Sequence, residues 1–416
     1  MRVKPVYLAL IFIFLIIKGG SVSQVADSNK QFDDVIAVIH SIHGKSPIPL
    51  HRPVFEGREK QYLSDCIDSN FVSSVGAKVT EFEQQIAAFT GIRYAVATVN
   101  GTAALHVALQ LAGVEYGDEV ITQALTFIAT CNAIRYCGAH PVFVDVDRET
   151  LGLSADVLQR FLTQNVAVSQ GQAFNKATGR RLRACVPMHT FGHPCRIEKI
   201  VALCAEYRIP VVEDAAESLG SYVGSYHTGR FGRLAALSFN GNKVITTGGG
   251  GMILTDDETL AKRAKHLTTT AKVPHPYEFA HDETGYNYRL PNLNAALGCA
   301  QMERLPEMLK IKAKIAARYA EFFAETNITF VKAPEGCTSN YWLNAILLDS
   351  PAERDAFLRY SNEQGVMTRP IWRLMHRLPM YADCQHDALE NSIWLEERVV
   401  NIPSSVPDGA LKSLAQ

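Results

Sequence analysis

The chain has no CxxC pair among its nine cysteines, no excess of either charge, and no apolar run of the ~20 residues that a membrane-spanning helix needs. Without paired spacing, neither a zinc knuckle nor a disulfide framework is specified, and the odd cysteine count reads as reduced, buried or incidental thiols. Lys plus Arg total 41 against 42 Asp plus Glu, so the basic excess of a general nucleic-acid binder is missing. Glycine (28) and proline (18) are ordinary in number, which excludes collagen-like repeats and makes disorder unexpected. There is no long internal repeat and no low-complexity linker. What is present is 416 residues, 47% of them hydrophobic, ample for one large core or two domains.

The amino terminus departs from the rest. Arg2 and Lys4 precede an apolar run from Val6 to Ile17, and small or polar residues follow at Gly19, Gly20, Ser21 and Ser23. That is the three-part pattern of a signal peptide, signal-like over residues 1–23. Export or membrane anchoring is one reading; an upstream extension that the folded protein does not use, or a misassigned start, is the other. The unpatterned cysteines favour the second.

From Tyr94 onward strands and helices alternate. Tyr94–Val99, Glu119–Thr122, Pro141–Val146, Cys185–Met188, Val211–Val212, Ala235–Phe239 and Met252–Leu254 read as strands. Thr102–Leu111, Phe127–Tyr136, Ile197–Tyr207 and Asp257–Leu267 read as helices. Upstream, Val79, Phe82, Ile86 and Phe89 recur at helical spacing, with Gly91 placed to end that helix. Such alternation predicts an α/β domain with a largely parallel sheet. After Pro291 two helical patterns, Ala295–Leu305 and Met308–Thr326, precede short strands such as Tyr341–Leu348, predicting a smaller α+β domain. The expected division is residues 1–30 as extension, 31–300 as amino-terminal segment plus large domain, and 301–416 as small domain.

Ligands of open α/β sheets bind beyond the carboxyl ends of the strands, and chemistry-bearing residues cluster at those ends. Asn100-Gly101-Thr102-Ala103 joins a strand to a helix start, where backbone amides suit a phosphate; an ordinary cap or turn reads the same way. In Val212-Glu213-Asp214-Ala215-Ala216-Glu217, acids follow a buried strand and need partners. A cationic ring nitrogen would suit Asp214; so would a structural salt bridge. Lys243 follows Ser238-Phe239 and precedes Gly248–Gly251, and a lysine held as the neutral amine can form a Schiff base with an aldehyde. Phe127 opens a helix, where it could stack on a flat ring or simply fill core. His189 and His193 lie four apart with Cys195 nearby, but Gly192 and Pro194 make the segment a loop, so no metal is expected there.

Together these segments resemble the DegT/StrS family of pyridoxal-phosphate-dependent sugar aminotransferases, from about Ile48 to Ser405. The resemblance rests on ordered motifs: Asn100–Leu105, Gly117–Thr122, Thr126–Thr130, Glu213–Ala216, Ser238-Phe239 with Lys243, and Gly285–Arg289. The stretches His189–Pro194 and Thr268–Tyr277 are most similar to the branch serving legionaminic-type acid and bacillosamine synthesis. The family implies fold type I: a large α/β domain with a mixed, mostly parallel sheet and a smaller carboxyl-terminal α+β domain.

It also implies roles. Lys243 would carry pyridoxal 5'-phosphate as a Schiff base and shuttle the proton, and Asp214 would pair with the ring nitrogen. Glu217 would face the phenolic oxygen and Phe127 would stack on the ring. Thr102, Ala103 and Ser238 would hold the phosphate. Asn287 would reach the phosphate of a second subunit, implying a homodimer with shared sites. His189 would be a wall of the site, and Arg369, Trp372 and His376 would lie near the sugar nucleotide. Two departures stand out: Gly248–Gly251 replaces the family's Gly-Glu-Gly-Gly, and the chain stops soon after Ser405, which implies a clipped small domain.

The reaction so implied moves an amino group, with glutamate as donor, to the 4-keto group of a UDP- or GDP-linked 6-deoxy sugar in surface-polysaccharide synthesis. A nucleotide-sugar substrate implies a cytoplasmic enzyme. A sugar 3-aminotransferase is the near alternative. A dehydratase of the same family would carry histidine in place of Lys243, and a nicotinamide enzyme would need a GxGxxG that Asn100–Ala103 does not supply. A membrane-tethered sensor would leave Asp214, Lys243 and Asn287 without a purpose.

Overall fold

The computed structural model describes residues 22–413. The signal-like pattern therefore lies almost wholly outside the described residues. Among them no helix is long and apolar enough to cross a membrane.

Seven strands form the central sheet: β1 (Tyr94–Thr98), β2 (Glu119–Gln123), β3 (His140–Val144), β4 (Leu182–Val186), β5 (Val212–Asp214), β6 (Leu234–Ser238) and β7 (Gly251–Thr255). Their order is β3-β2-β4-β5-β6-β7-β1, the two halves being joined by parallel bridges Cys185–Val211 and Met188–Asp214. Only β7 runs antiparallel, to both β6 and β1. The sheet is thus mixed but mostly parallel, and β2 and β7 are buried along their whole length, as expected when helices cover both faces.

Side-chain alternation assigns the faces. Leu234 and Ala236 share a core with α4 (Gly101–Leu111), α5 (Ile128–Tyr136) and α8 (Glu258–Thr268). Ala235 and Leu237 point the other way, onto α3 (Ala77–Thr90) and α9 (Asn292–Ala324). Helix α3 buries Val79, Phe82 and Ile86, and ends on Gly91 in the left-handed region (φ 73), which a Cβ would penalise. Helices α6 (Ala155–Asn165) and α7 (Ile197–Glu206) pack beside β3 and β4.

The two helices expected after Pro291 are one. Helix α9 runs for 33 residues with Pro306 inside it. Proline removes one helical hydrogen bond and costs about 3 kcal/mol, but Met302, Leu305, Met308 and Ile311 are all buried around it. Packing of that stripe outweighs the local defect, at ~1.5–3 kcal/mol per fully buried apolar side chain. The second half of α9 packs on a four-stranded antiparallel sheet, β8 (Thr329–Phe330), β9 (Asn344–Leu347), β10 (Arg369–Pro370) and β11 (Val399–Ile402), in the order β8-β9-β11-β10. Tyr341 and Leu343, expected in a strand, precede it instead, and Tyr341 is left-handed (φ 46).

Upstream, α1 (Val22–His43) continues unbroken across residue 30. It buries Phe32, Val35, Ile36 and Ile39, and the Phe32 ring meets Phe357 of α10 (Pro351–Glu363) edge-on at 5.3 Å.

Candidate active site

The acids anticipated just after a strand are part of it. Glu213 and Asp214 are the last residues of β5, so their side chains leave opposite faces. Asp214 accepts from the Thr130 hydroxyl at 2.7 Å and from the Ala216 amide at 3.2 Å. Burial pushes its carboxyl above the usual range, against the pull of Thr130, Ala216 and Lys243. Glu213 accepts from His189 Nε2 at 2.9 Å and from the amides of Gly229, Phe231 and Gly232 at 2.6–2.8 Å. Burial pushes Glu213 up, but His189 and those amides prevail and hold it below the ordinary carboxylate range.

Lys243 sits in the turn after β6. The turn is closed by Phe239 N–H to the Gly250 carbonyl (2.9 Å) and Thr247 N–H to the Phe239 carbonyl (3.0 Å). Asn294 of α9 pins the glycine run, donating to the Thr247 carbonyl at 2.6 Å. Lys243 Nζ lies 3.3 Å from Glu217 Oε1 and 3.8 Å from the centre of the Trp342 ring. Glu217 Oε2 accepts from the Phe191 amide at 2.8 Å, and Phe191 is left-handed (φ 57) in aiming that amide. Burial drives the Glu217 carboxyl up to about 7, with Lys243 and the Phe191 amide opposing.

The third component is the start of α4. Asn100 caps it, its side chain accepting from the Ala103 amide at 2.8 Å. The amides of Gly101 and Thr102 have no partner among the described residues. A Cβ on Gly101 would come within 2.9 Å of Ser238 Cβ, so the backbone reaches β6 only as glycine. Two open amides at a helix start, a hydroxyl from Ser238 beside them, a buried acid and an amine are the donor set that a phosphorylated pyridine aldehyde requires. Pyridoxal phosphate fits the residues present.

The other expected residues fall into two groups. Phe127 is the N-cap of α5 and 49% exposed, its ring 6.2 Å from that of Trp372; Trp372 in turn lies 5.0 Å from Phe191. These stand beside the Lys243 cluster. His189 is fully buried with both nitrogens engaged, Nδ1 accepting from the Cys195 amide at 3.2 Å and Nε2 facing Glu213. It braces β5 from behind and makes no contact with Lys243. Arg369 bonds to Asn362 and the Thr368 carbonyl, and His376 packs against His386. Asn287 is exposed and accepts from Arg289 at 3.3 Å, apart from the cluster. Thr130, Phe191 and Trp342 were not singled out from sequence. Thr130 lies within the Thr126–Thr130 motif and Phe191 within His189–Pro194, without a role assigned to either; Trp342 carries no local signal, being far from Lys243 along the chain.

Residues 53–408 match the DegT/DnrJ/EryC1/StrS aminotransferase family. The chain is 36% identical over 359 residues to the GDP-perosamine synthase of Escherichia coli O157:H7, covering 86% of this chain and 93% of that protein. It is also 36% identical over 335 residues to the putative pyridoxal phosphate-dependent aminotransferase EpsN of Bacillus subtilis (80% and 84% covered). Among solved structures, DesI with its TDP-sugar product superposes with a TM-score of 0.76 at 27% identity, covering 89% of this chain and 92% of that one. An aminotransferase TlmJ from Streptoalloteichus hindustanus gives 0.79 at 27% identity, with 88% and 96% covered. With its fold, its cofactor-compatible cluster and its relatives in agreement, this chain belongs to the DegT/DnrJ/EryC1/StrS aminotransferase family and is a pyridoxal-phosphate-dependent aminotransferase.

Proposed function

We propose that the enzyme converts a nucleotide-linked 4-keto-6-deoxy sugar, UDP- or GDP-linked, to the 4-amino sugar, with L-glutamate as amino donor. The observation that carries this reading is the contact of Lys243 with the buried Glu217 carboxyl, with the buried Asp214 carboxyl near enough to feel its charge, beside the open amides of α4. A relative named for a GDP-linked product and a neighbour solved with a TDP-sugar product support the nucleotide-sugar class.

When bound, pyridoxal phosphate supplies an aldehyde and an electron-withdrawing ring. Each residue then has a task. The Gly101 and Thr102 amides, with Ser238 and the Thr102 hydroxyl, would hold the phosphate, and Ala103 stands in the same first turn, its amide taken by Asn100. Asp214 would pair with the ring nitrogen and so be kept anionic, and Phe127 would stack on the ring. Lys243 is the amine that would hold the aldehyde, with loss of water, and once displaced by the amino donor it would move a proton between the substrate carbon and the cofactor's reactive carbon in each half of the transfer. Glu217 would face the phenolic oxygen and, as it does in this structure, hold the unattached lysine. His189 acts through Glu213 as a brace for β5. Arg369, Trp372 and His376 are proposed for the nucleotide side. Asn287 would serve a second subunit's phosphate, making the working enzyme a homodimer in the cytoplasm, where nucleotide sugars are made.

The test is a screen of UDP- and GDP-linked 4-keto sugars with glutamate, read by mass spectrometry. A mass change for amine replacing ketone, with the nitrogen on C4, is expected. Amination at C3 would favour the 3-aminotransferase reading, and no amination of any keto sugar would sink both.

A further inference from the structure

Trp342 stands in the middle of a buried chain of contacts linking the long helix α9 to Lys243. Its ring centre is 3.8 Å from Lys243 Nζ. Its Nε1–H donates to the Asn242 carbonyl at 2.6 Å, one residue before the lysine. Its own carbonyl accepts from Lys312 Nζ at 3.2 Å. Lys312 projects from mid-α9, is 1% exposed, donates to the Ser404 carbonyl at 2.7 Å and lies 3.3 Å from His51 Nε2. None of these partners is a carboxylate. Burying an ammonium without a counter-ion is costly, and burial lowers Lys312 to about 7. An apolar side chain would fill the same space without that penalty, so the amine's use lies in what it holds.

We propose that Trp342 and Lys312 are positioning residues for Lys243. Lys312 pins the Trp342 backbone to α9; the indole clamps the Asn242 turn and offers its π face to the Lys243 ammonium. This rests on Lys243 being the reactive amine. Amino transfer requires that amine to alternate between attached and free, and the free ammonium has its place between Glu217 Oε1 and the indole. Cation–π contact of this kind is worth about 0.5–2 kcal/mol.

The experiment labels Lys243 with acetic anhydride at one fixed pH in the full chain stripped of cofactor, quantified by peptide mass spectrometry against exposed Lys262 in the same sample. Freed from the indole, the amine of Trp342→Leu is expected to label about 2–30-fold faster than wild type, and that of Lys312→Met faster by less. Trp342→Phe keeps a π face but loses the donor to Asn242; its labelling rate stays near wild type while kcat of the loaded enzyme drops and KM holds. Unchanged labelling rates in Trp342→Leu and Lys312→Met overturn the proposal. If Trp342→Leu does not fold, Lys312→Met and the kcat of Trp342→Phe decide. A wild-type protein that binds no pyridoxal phosphate at Lys243 would instead sink the functional reading, a distinguishable failure.

Discussion

The Thr130 hydroxyl donates to Asp214 Oδ2 at 2.7 Å, tying the first turn of α5 to the acid at the centre of the sheet. The bond favours the anionic acid that a cationic ring nitrogen needs opposite it. Thr130→Val keeps the shape and deletes the donor. Hydrogen bonds to charged groups contribute about 1.5–3 kcal/mol, so cofactor affinity should fall on the order of tenfold or more. A spectrophotometric titration with pyridoxal phosphate checks this; unchanged affinity would remove Thr130 from the account.

Lys243→Ala should lose both the visible absorption of bound cofactor and all amino transfer, because no other described amine contacts Glu217. The measurement is an absorbance spectrum followed by borohydride reduction and peptide mapping. Activity at the wild-type level would overturn the assignment of the reactive amine.

Glu217 should leave a signature in stability against pH. Unfolded, it releases its proton near 4.5; folded, near 7. Between those values the native state holds the extra proton, so this group's contribution declines as pH rises through that window. Glu217→Gln cannot titrate. Urea melts should show the wild type losing about 1–3 kcal/mol relative to the variant between pH 4.5 and 7.

Gly192 is left-handed (φ 95), and a Cβ there would lie 1.8 Å from Asn340 Oδ1. That oxygen accepts from the Trp342 amide at 2.8 Å. Gly192→Ala should therefore cost about 2–4 kcal/mol, from backbone strain and overpacking combined. Denaturant unfolding measures it, and a loss under about 0.5 kcal/mol would show that the loop simply relaxes.

Much of the architecture was readable because it is local. Alternating apolar runs from Tyr94 to Leu267 mark strands and helices, and the Val79-Phe82-Ile86 stripe ends at a glycine that adopts the left-handed region. Boundaries slipped where long-range contacts set them. Asp214 belongs to β5 because it pairs with Ala236 and bridges Met188, and no neighbour along the chain encodes that. The gap between the two helices expected after Pro291 falls at Pro306, and burial of the surrounding stripe closes it.

At the candidate site the residue types and their order already implied an amine, acids and a phosphate cradle. Those features are carried by short segments whose chemistry survives translation into any fold that brings strand ends together. Distance and environment are another matter. That Lys243 touches Glu217, that Glu213 turns away to His189, and that Trp342 lies over the lysine all depend on segments up to 100 residues apart meeting in space. Burial and partner geometry decide how much each charge costs, and both exist only once the chain has folded.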